Sequence, residues 1–504
     1  MPETSKTKNV LKNLIGTVIY QACTILVNIV VLNLFLRQYG SEVNGLVSTL
    51  NQIQGYIALL EAGLGVTAIQ ALYKPMAIQD YDKVNTILKA ATNYYNKTAV
   101  AYAICIVFVG AVLTNVLSTD IPRSHIFLMM VILAVPTLMD YLFQGKIRIM
   151  LTADQDVFII NVYNAVTLII TGVCRIFLIK MNVSYILVQS AFIIFTACKI
   201  ILLKSYYDKR YKWLNLKVNP DKEALKQKNA NLVHQIAGLV VNGTDAIVIS
   251  TFLGLKYASI YSVYSIVFSA LSTFMWQFSN SATPSFGHYM VRNDEKELRK
   301  VFLDLANGFY IMTFSVYSVA YLMIVPFIDL YTVSVTDINY RMEYLPLFFV
   351  VIGISNCIRI PSNSIINAAG FFEKTKNRAI LEAVINITVS IVCVQFIGIY
   401  GVLIGTICSF LYRTVDIILF TNKYIIRNVI KKQVGMIVLD LLITIVFILL
   451  IQSINILNTR TWITMILSTG ILLLAILTIL LLVNYLFNRD YLVSNIRRVK
   501  TLLK

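Results

Sequence analysis

Charge is scarce in this chain of 504 residues, with Asp, Glu, Lys and Arg together making up 13%. Soluble globular domains carry roughly 25%, so that class is excluded. Histidine is rarer still. The three present, His125, His234 and His288, all lie near the ends of apolar stretches. There is no HExxH pattern and no Cys/His cluster with ligand spacing, so no metal or cofactor is expected. A GxxxxGK[ST] phosphate loop is also missing, which leaves no built-in ATPase. No long external segment carries paired acids, so an enzyme is not expected. The seven cysteines are Cys23, Cys105, Cys174, Cys198, Cys357, Cys393 and Cys408. All fall in apolar stretches and read as small core hydrophobes. The opening MPETSKTKNVLKNLIG runs into a full-length apolar stretch without an A-x-A cleavage pattern, so the first helix is expected to be retained.

What the chain has instead is apolar length. It is 58% hydrophobic, and about fourteen stretches are long enough to cross a bilayer. They are 11–36, 43–73, 91–117, 125–147, 155–179, 182–204, 230–253, 257–290, 302–331, 344–369, 373–396, 399–421, 433–455 and 462–487. Most of the 43 Lys and Arg residues sit in every second gap, including Lys74 and Lys83, Lys146 and Arg148, and Arg299 with Lys300. The alternate gaps are short and hold mainly Arg37, Arg123, Lys180, Lys256, Arg341 and Arg460. This alternation predicts a multi-pass protein of a bacterial cytoplasmic (inner) membrane with both termini on the cytoplasmic side. The net charge of +18 is then a record of topology rather than of nucleic-acid binding, with affinity for anionic lipid as a by-product.

The two halves are weakly alike. FLRQYGSEVNGLVS (35–48) corresponds to FLGLKYASIYSVYS (252–265), and LTADQDVFIIN (151–161) to NAAGFFEKTKN (367–377). The expected organisation is an N-terminal lobe of six helices (1–210), a basic cytoplasmic linker (211–229), a C-terminal lobe of six helices (230–432), and two further helices with a basic tail (433–504). Like-oriented repeats of this kind suit a transporter with a site near the midplane.

Several motifs extend the reading. EAGLGVTAIQ followed by LYKPMAIQDYDKV (61–84), MLTADQDVFIINV (150–162), TDAIVISTFLGLKYASIYSVYS (244–265) and RIPSNSIINAAGFFEKTKNRAILEAVINITVSI (359–391) with GIYGVLIGT (398–406) resemble bacterial polysaccharide flippases. The resemblance is to the O-antigen and capsule repeat-unit exporters (Wzx-type), in the superfamily of the multidrug extruders and lipid II flippases. It implies an all-α, MATE-like membrane fold. It also implies translocation of a polyprenyl-pyrophosphate-linked oligosaccharide from the inner to the outer leaflet by alternating access. The sequence leaves open whether H+, Na+ or the membrane potential alone drives it. One departure is the polar stretch TLNQIQGYIALLEAGLG in the first lobe. The alternatives are a multidrug or cation antiporter of the same fold and a membrane-embedded glycan polymerase or ligase. The latter would need an external catalytic cluster, and the sequence has none.

An ionisable group at mid-bilayer costs roughly 2.5–3.5 kcal/mol, so its presence marks a candidate site. By depth, Arg359 is a candidate for binding a pyrophosphate or acidic sugar, through its fixed fork of donors, or for a structural ion pair. Asp245 and Asn242, one turn apart, are candidates for the cavity wall, as is the polar run Asn51, Gln52 and Gln54. Glu61 and Asp140 are candidates for ion coupling. Arg175, near the outer end of its helix, is a weak candidate for greeting an anion on exit. Arg378 with Glu382 and Arg413 with Asp416 read as pairs along single helices.

Overall fold

The computed structural model describes residues 3–61, 63–221, 223–225, 229–291, 294–454 and 459–502. Residues 222 and 226–228 of the expected linker and the last two of the tail lie outside them. The described chain is all helical. It runs through α1 (Glu3–Ala58), α2 (Leu64–Ala77), α3 (Tyr81–Val116), α4 (Arg123–Met139), α5 (Gly145–Ala153), α6 (Val157–Lys180), α7 (Tyr185–Arg210), α8 (Asn229–Gly243) and α9 (Asp245–Phe252). There follow α10 (Leu255–Val291), α11 (Glu295–Tyr331), α12 (Leu345–Ile358), α13 (Ile360–Ala368), α14 (Phe372–Ile397), α15 (Ile399–Tyr424), α16 (Ile430–Ile454), α17 (Trp462–Phe487) and α18 (Arg489–Leu502).

Among the described residues, 12 helices are long and apolar enough to cross a membrane, or 13 if the pair Val233–Gly243 and Asp245–Phe252, bent by 43°, forms one span. The first of the twelve runs 63 residues, from Ile15 to Ala77. That is about 95 Å of helix against a hydrocarbon core of roughly 30 Å. Gly40 interrupts it with φ 79°, a left-handed conformation that residues with a Cβ rarely adopt. The run therefore divides into two crossings, between the expected stretches 11–36 and 43–73. So counted, the architecture is consistent with the expected fourteen helices.

The chain divides into two compact units, Met1–Ser259 and Ile260–Lys504. In the first, α1 packs along α6, α4 and α9, and α3 against α4. Leu46, Leu50, Leu64, Leu88, Met130 and Leu151 are central to its core. The break between α8 and α9 rests on α1. Tyr56 OH donates to Val240 O at 3.1 Å and also pairs with Thr244 Oγ1. Backbone groups left open by a helix break must find such partners in a membrane, where water cannot supply them.

In the second unit, α14 and α15 form a tight hairpin. Gly398, with φ 58°, joins them. A ring stack of Tyr264, Phe349, Phe268 and Tyr317 ties α10, α11 and α12 together. Helices α16, α17 and α18 pack on α11. Large apolar side chains such as Phe396, Leu486 and Phe487 face outward, as a lipid-facing surface requires.

Candidate functional site

In the first unit one arginine joins two of the candidate acids. Between α4 and α5 the helix widens into a π turn, Asp140–Gln144, four residues beyond Pro136. Proline removes one helix hydrogen bond, and π turns often mark functional positions. The continuous candidate span is Arg123–Ala153, so Lys146 and Arg148 lie within it and not in a loop, as their sequence position had suggested. Arg148 Nη2 lies 3.0 Å from Glu61 Oε1, and Nη1 lies 3.4 Å from Asp140 Oδ2. Tyr95 OH donates to the same Glu61 oxygen at 2.5 Å and accepts from Arg148 at 3.2 Å. All three charged side chains are partly exposed. Two carboxylates face one guanidinium, and the ammonium of Lys199 of α7, which donates to Asn164 Oδ1 at 3.2 Å, lies close enough to act on Asp140 as well.

The second unit holds a longer chain of charges. Pro361 is the second residue of α13 and has no N–H, which fixes the break between α12 and α13 at Arg359. Arg359 is 9% exposed. Its Nη1 donates to Glu382 Oε1 at 2.6 Å, and its Nε and Nη2 to Asn356 Oδ1 at 3.2 and 2.7 Å. Its face lies 4.6 Å from the centre of the Phe410 ring. Glu382 also reaches Arg413 Nε at 3.5 Å, Arg413 Nη1 lies 3.0 Å from Asp416 Oδ2, and Asp416 pairs with Arg378. The pair expected within α14, Arg378 with Glu382, is replaced by pairs across helices. The pair within α15, Arg413 with Asp416, is present. Three guanidinium groups against two carboxylates leave one positive charge in excess.

The remaining candidates are dispersed. Asp245 is buried at the start of α9. Gln52 Oε1 accepts from the Ala246 N–H at 3.1 Å, so Gln52 satisfies the helix break beside it. Asn242 is exposed and donates to Gly238 O of its own helix at 2.6 Å. Gln54 is buried and donates to Met130 O of α4 at 3.1 Å, whereas Asn51 is exposed. Arg175 donates to Gln189 Oε1 at 2.7 Å and lies over Phe192, joining α6 to α7. The structure thus brings Glu61 together with Asp140, and leaves Arg359, Asp245 and Arg175 in separate settings.

Sequence reading passed over Arg148, Tyr95 and the buried Asp440 of α16. Asp440 did carry a signal, as the one acid in the stretch from Ile430 to Ile454. Arg148 carried a weaker one, about two helical turns beyond Asp140.

No family model matches the sequence, and no curated protein matches it. Solved structures do. The lipid II flippase MurJ in an inward closed conformation aligns with a TM-score of 0.67 at 12% identity, over 95% of this chain and 99% of that one. An inward-facing multidrug resistance MATE family transporter of the MOP superfamily aligns with 0.64 at 14% identity, over 83% and 99%. An outward-facing MATE transporter of the same superfamily gives 0.54 at 16%, over 84% and 96%. At such identities what is shared is architecture, and this multi-pass helical chain has the fold common to these MOP-superfamily transporters.

Proposed function

We propose that this chain is a flippase that carries a polyprenyl-pyrophosphate-linked oligosaccharide, the repeat unit of an O-antigen, capsule or other surface polysaccharide, across a bacterial cytoplasmic membrane by alternating access. The observation that carries the reading is the network around Arg359. The network sets three guanidinium groups, those of Arg359 and Arg413 buried and that of Arg378 partly exposed, against two carboxylates, and so retains a positive charge where charge is expensive. A guanidinium fork matches a pyrophosphate or an acidic sugar. The similarity to a lipid II flippase over 95% of the chain supports the same reading. In this proposal Arg359 leaves its partners to meet the anion. Both termini are cytoplasmic.

A second reading is favoured by the other cluster. Glu61 and Asp140 share Arg148 and both remain partly exposed, so the two carboxylates suit a cationic drug in exchange for H+ or Na+. Proteoliposomes separate the two. A fluorescent polyprenyl-pyrophosphate oligosaccharide is expected to reach the opposite leaflet faster with the protein than without it. Equal rates under an imposed gradient, alongside uptake of an organic cation, would sink the flippase reading in favour of the antiporter.

A further inference from the structure

The last two long helices, α16 and α17, have no part in either charge cluster, yet they hide the least explained polar atoms of the second unit. Asp440 of α16 is fully buried. Its Oδ1 accepts from Asn484 Nδ2 of α17 at 2.7 Å, and Asn484 is held in turn by Asn488, whose Nδ2 donates to Asn484 Oδ1 at 2.9 Å. Oδ2 of Asp440 has no partner among the described residues, and neither has Thr444 Oγ1, one turn further along α16 and also buried. Among those residues no Lys, Arg or His forms an ion pair with Asp440. A carboxylate cannot stay ionised in hydrocarbon without a cation or a full set of donors. A neutral carboxyl has one O–H to give, and the unpartnered Oδ2 is the atom that would carry it.

The unpartnered atoms continue toward the end where α16 begins. Gln433 lies two turns before Asp440 on the same face and is fully buried. Its Nε2 donates to Tyr310 OH at 2.7 Å and to Ser362 Oγ at 3.1 Å, but its Oε1 has no partner among the described residues. Asn307, one turn before Tyr310 on α11, is fully buried, and neither amide atom has a partner among the described residues. One turn before that, Asp304 accepts from Ser494 Oγ of α18 at 2.6 Å. Ser494 is only half-buried, at the edge of the unit. From Gln433 to Thr444 alone the seam covers about 16 Å of helix. Buried polar groups without protein partners are ordinarily satisfied by internal water, and a file of water is a path for protons.

We propose that Asp440 is a proton-binding site within the second unit, reached by water along the seam of Asn307, Gln433 and Thr444 between α11 and α16. A metal cation fits less well, because no group of three or more His, Cys, Asp or Glu among the described residues could hold one. The titratable and charged groups around Asp440 are few. Helix α11 presents Tyr310, near enough to sense the carboxyl. Helix α17 has no charged residue, and its Tyr485 is exposed beneath Arg489. On α15, Arg413 and Asp416 are engaged with each other, Glu382 and Arg378. At the start of α16, Lys432 donates to Tyr491 OH at 2.7 Å. Proton binding at Asp440 does not depend on which cargo the chain carries.

Infrared spectroscopy of the full-length protein in lipid nanodiscs tests this directly. The wild type should show a buried protonated-carboxyl C=O band that shifts in D2O and titrates between about pH 5 and pH 9. The band should vanish in Asp440→Asn, which keeps an acceptor for Asn484, and persist in Glu61→Gln and Asp140→Asn. Asp440→Glu should move the band rather than erase it, which covers a failure of the Asn variant to fold. Gln433→Leu should slow its exchange in D2O by about tenfold or more, the effect of one lost hydrogen-bonding station. A band unchanged in Asp440→Asn, or one that neither titrates nor exchanges, would overturn the site. Exchange unaltered in Gln433→Leu would overturn the route, and a band abolished by Na+ at constant pH would overturn the choice of ligand.

Discussion

Arg359 and Glu382 meet at 2.6 Å, both about nine-tenths buried, with the arginine also stacked on Phe410. Removing one member of such a pair strands the other, at a cost of about 3–5 kcal/mol. Arg359→Ala and Glu382→Gln should therefore each lower the melting temperature of the purified protein sharply. Arg359→Met combined with Glu382→Leu should restore much of it, because neither member of the pair strands the other and Arg413 keeps Asp416. If transport returns along with stability in the double variant, Arg359 does not handle the cargo.

The Arg148 fork reaches Glu61 and Asp140 at once. Lysine keeps the charge but offers a single point, so it cannot serve both carboxylates with the same geometry. Arg148→Lys should yield folded protein with transport reduced about tenfold, equivalent to ~1.4 kcal/mol. An unchanged rate would assign the cluster to structure alone.

The linker is pinned to α3 by Lys83 Nζ and Asp221 Oδ2 at 2.7 Å. The hydrogen bond from Lys83 holds the Asp221 carboxyl below the usual carboxylate range. Since the Asp221 value is depressed on folding, its contribution is present above about pH 4 and fades as pH falls through the lower folded value. Protection of the amides around residue 221, corrected for the intrinsic pH dependence of exchange, should therefore be full at neutral pH and fall in acid. It should also fall in high salt, as expected for an exposed pair. Protection that falls in acid in the wild type and stays level in Lys83→Met would confirm the assignment.

Two glycines should respond in opposite ways to alanine. A Cβ on Gly401 would lie 2.2 Å from the backbone carbon of Cys393, whereas one on Gly470 would meet nothing within 4 Å. Gly401→Ala must push α15 off α14, and overpacking of this kind costs about 1–3 kcal/mol. Gly470→Ala meets no obstacle and gains helix propensity of up to about 1 kcal/mol. Thermal unfolding of the two variants, side by side, checks the contrast.

The number and placement of the spans were legible because apolar length is a property of local sequence. Gly40 separates the first two as expected, and Arg359 lies at depth in the broken helix α12–α13. Partners were not legible. Nothing in the spacing of residue 359 points to 382, which comes from the next helix of the bundle, and the near spacing of 378 and 382 suggested a pair that the fold does not make. Arg148 was hidden for another reason. Hydropathy ends a span where charges begin, so a helix that continues past its own cations is cut short on paper. Asp440 lies in one of the two last helices, which have no counterpart in the other half of the sequence.

The π turn at Asp140–Gln144 has a consequence for comparing this chain with distant relatives. A wide turn holds one residue more than an α turn, so everything after it is rotated by about 100° relative to the register set by α4. That rotation brings Arg148 round to Asp140 and Glu61. A relative that lacks the extra residue would present a different face of the same helix at this point. Alignment columns through α5 should then carry a one-residue gap near position 142, and without it a true counterpart of Arg148 would be read as a substitution.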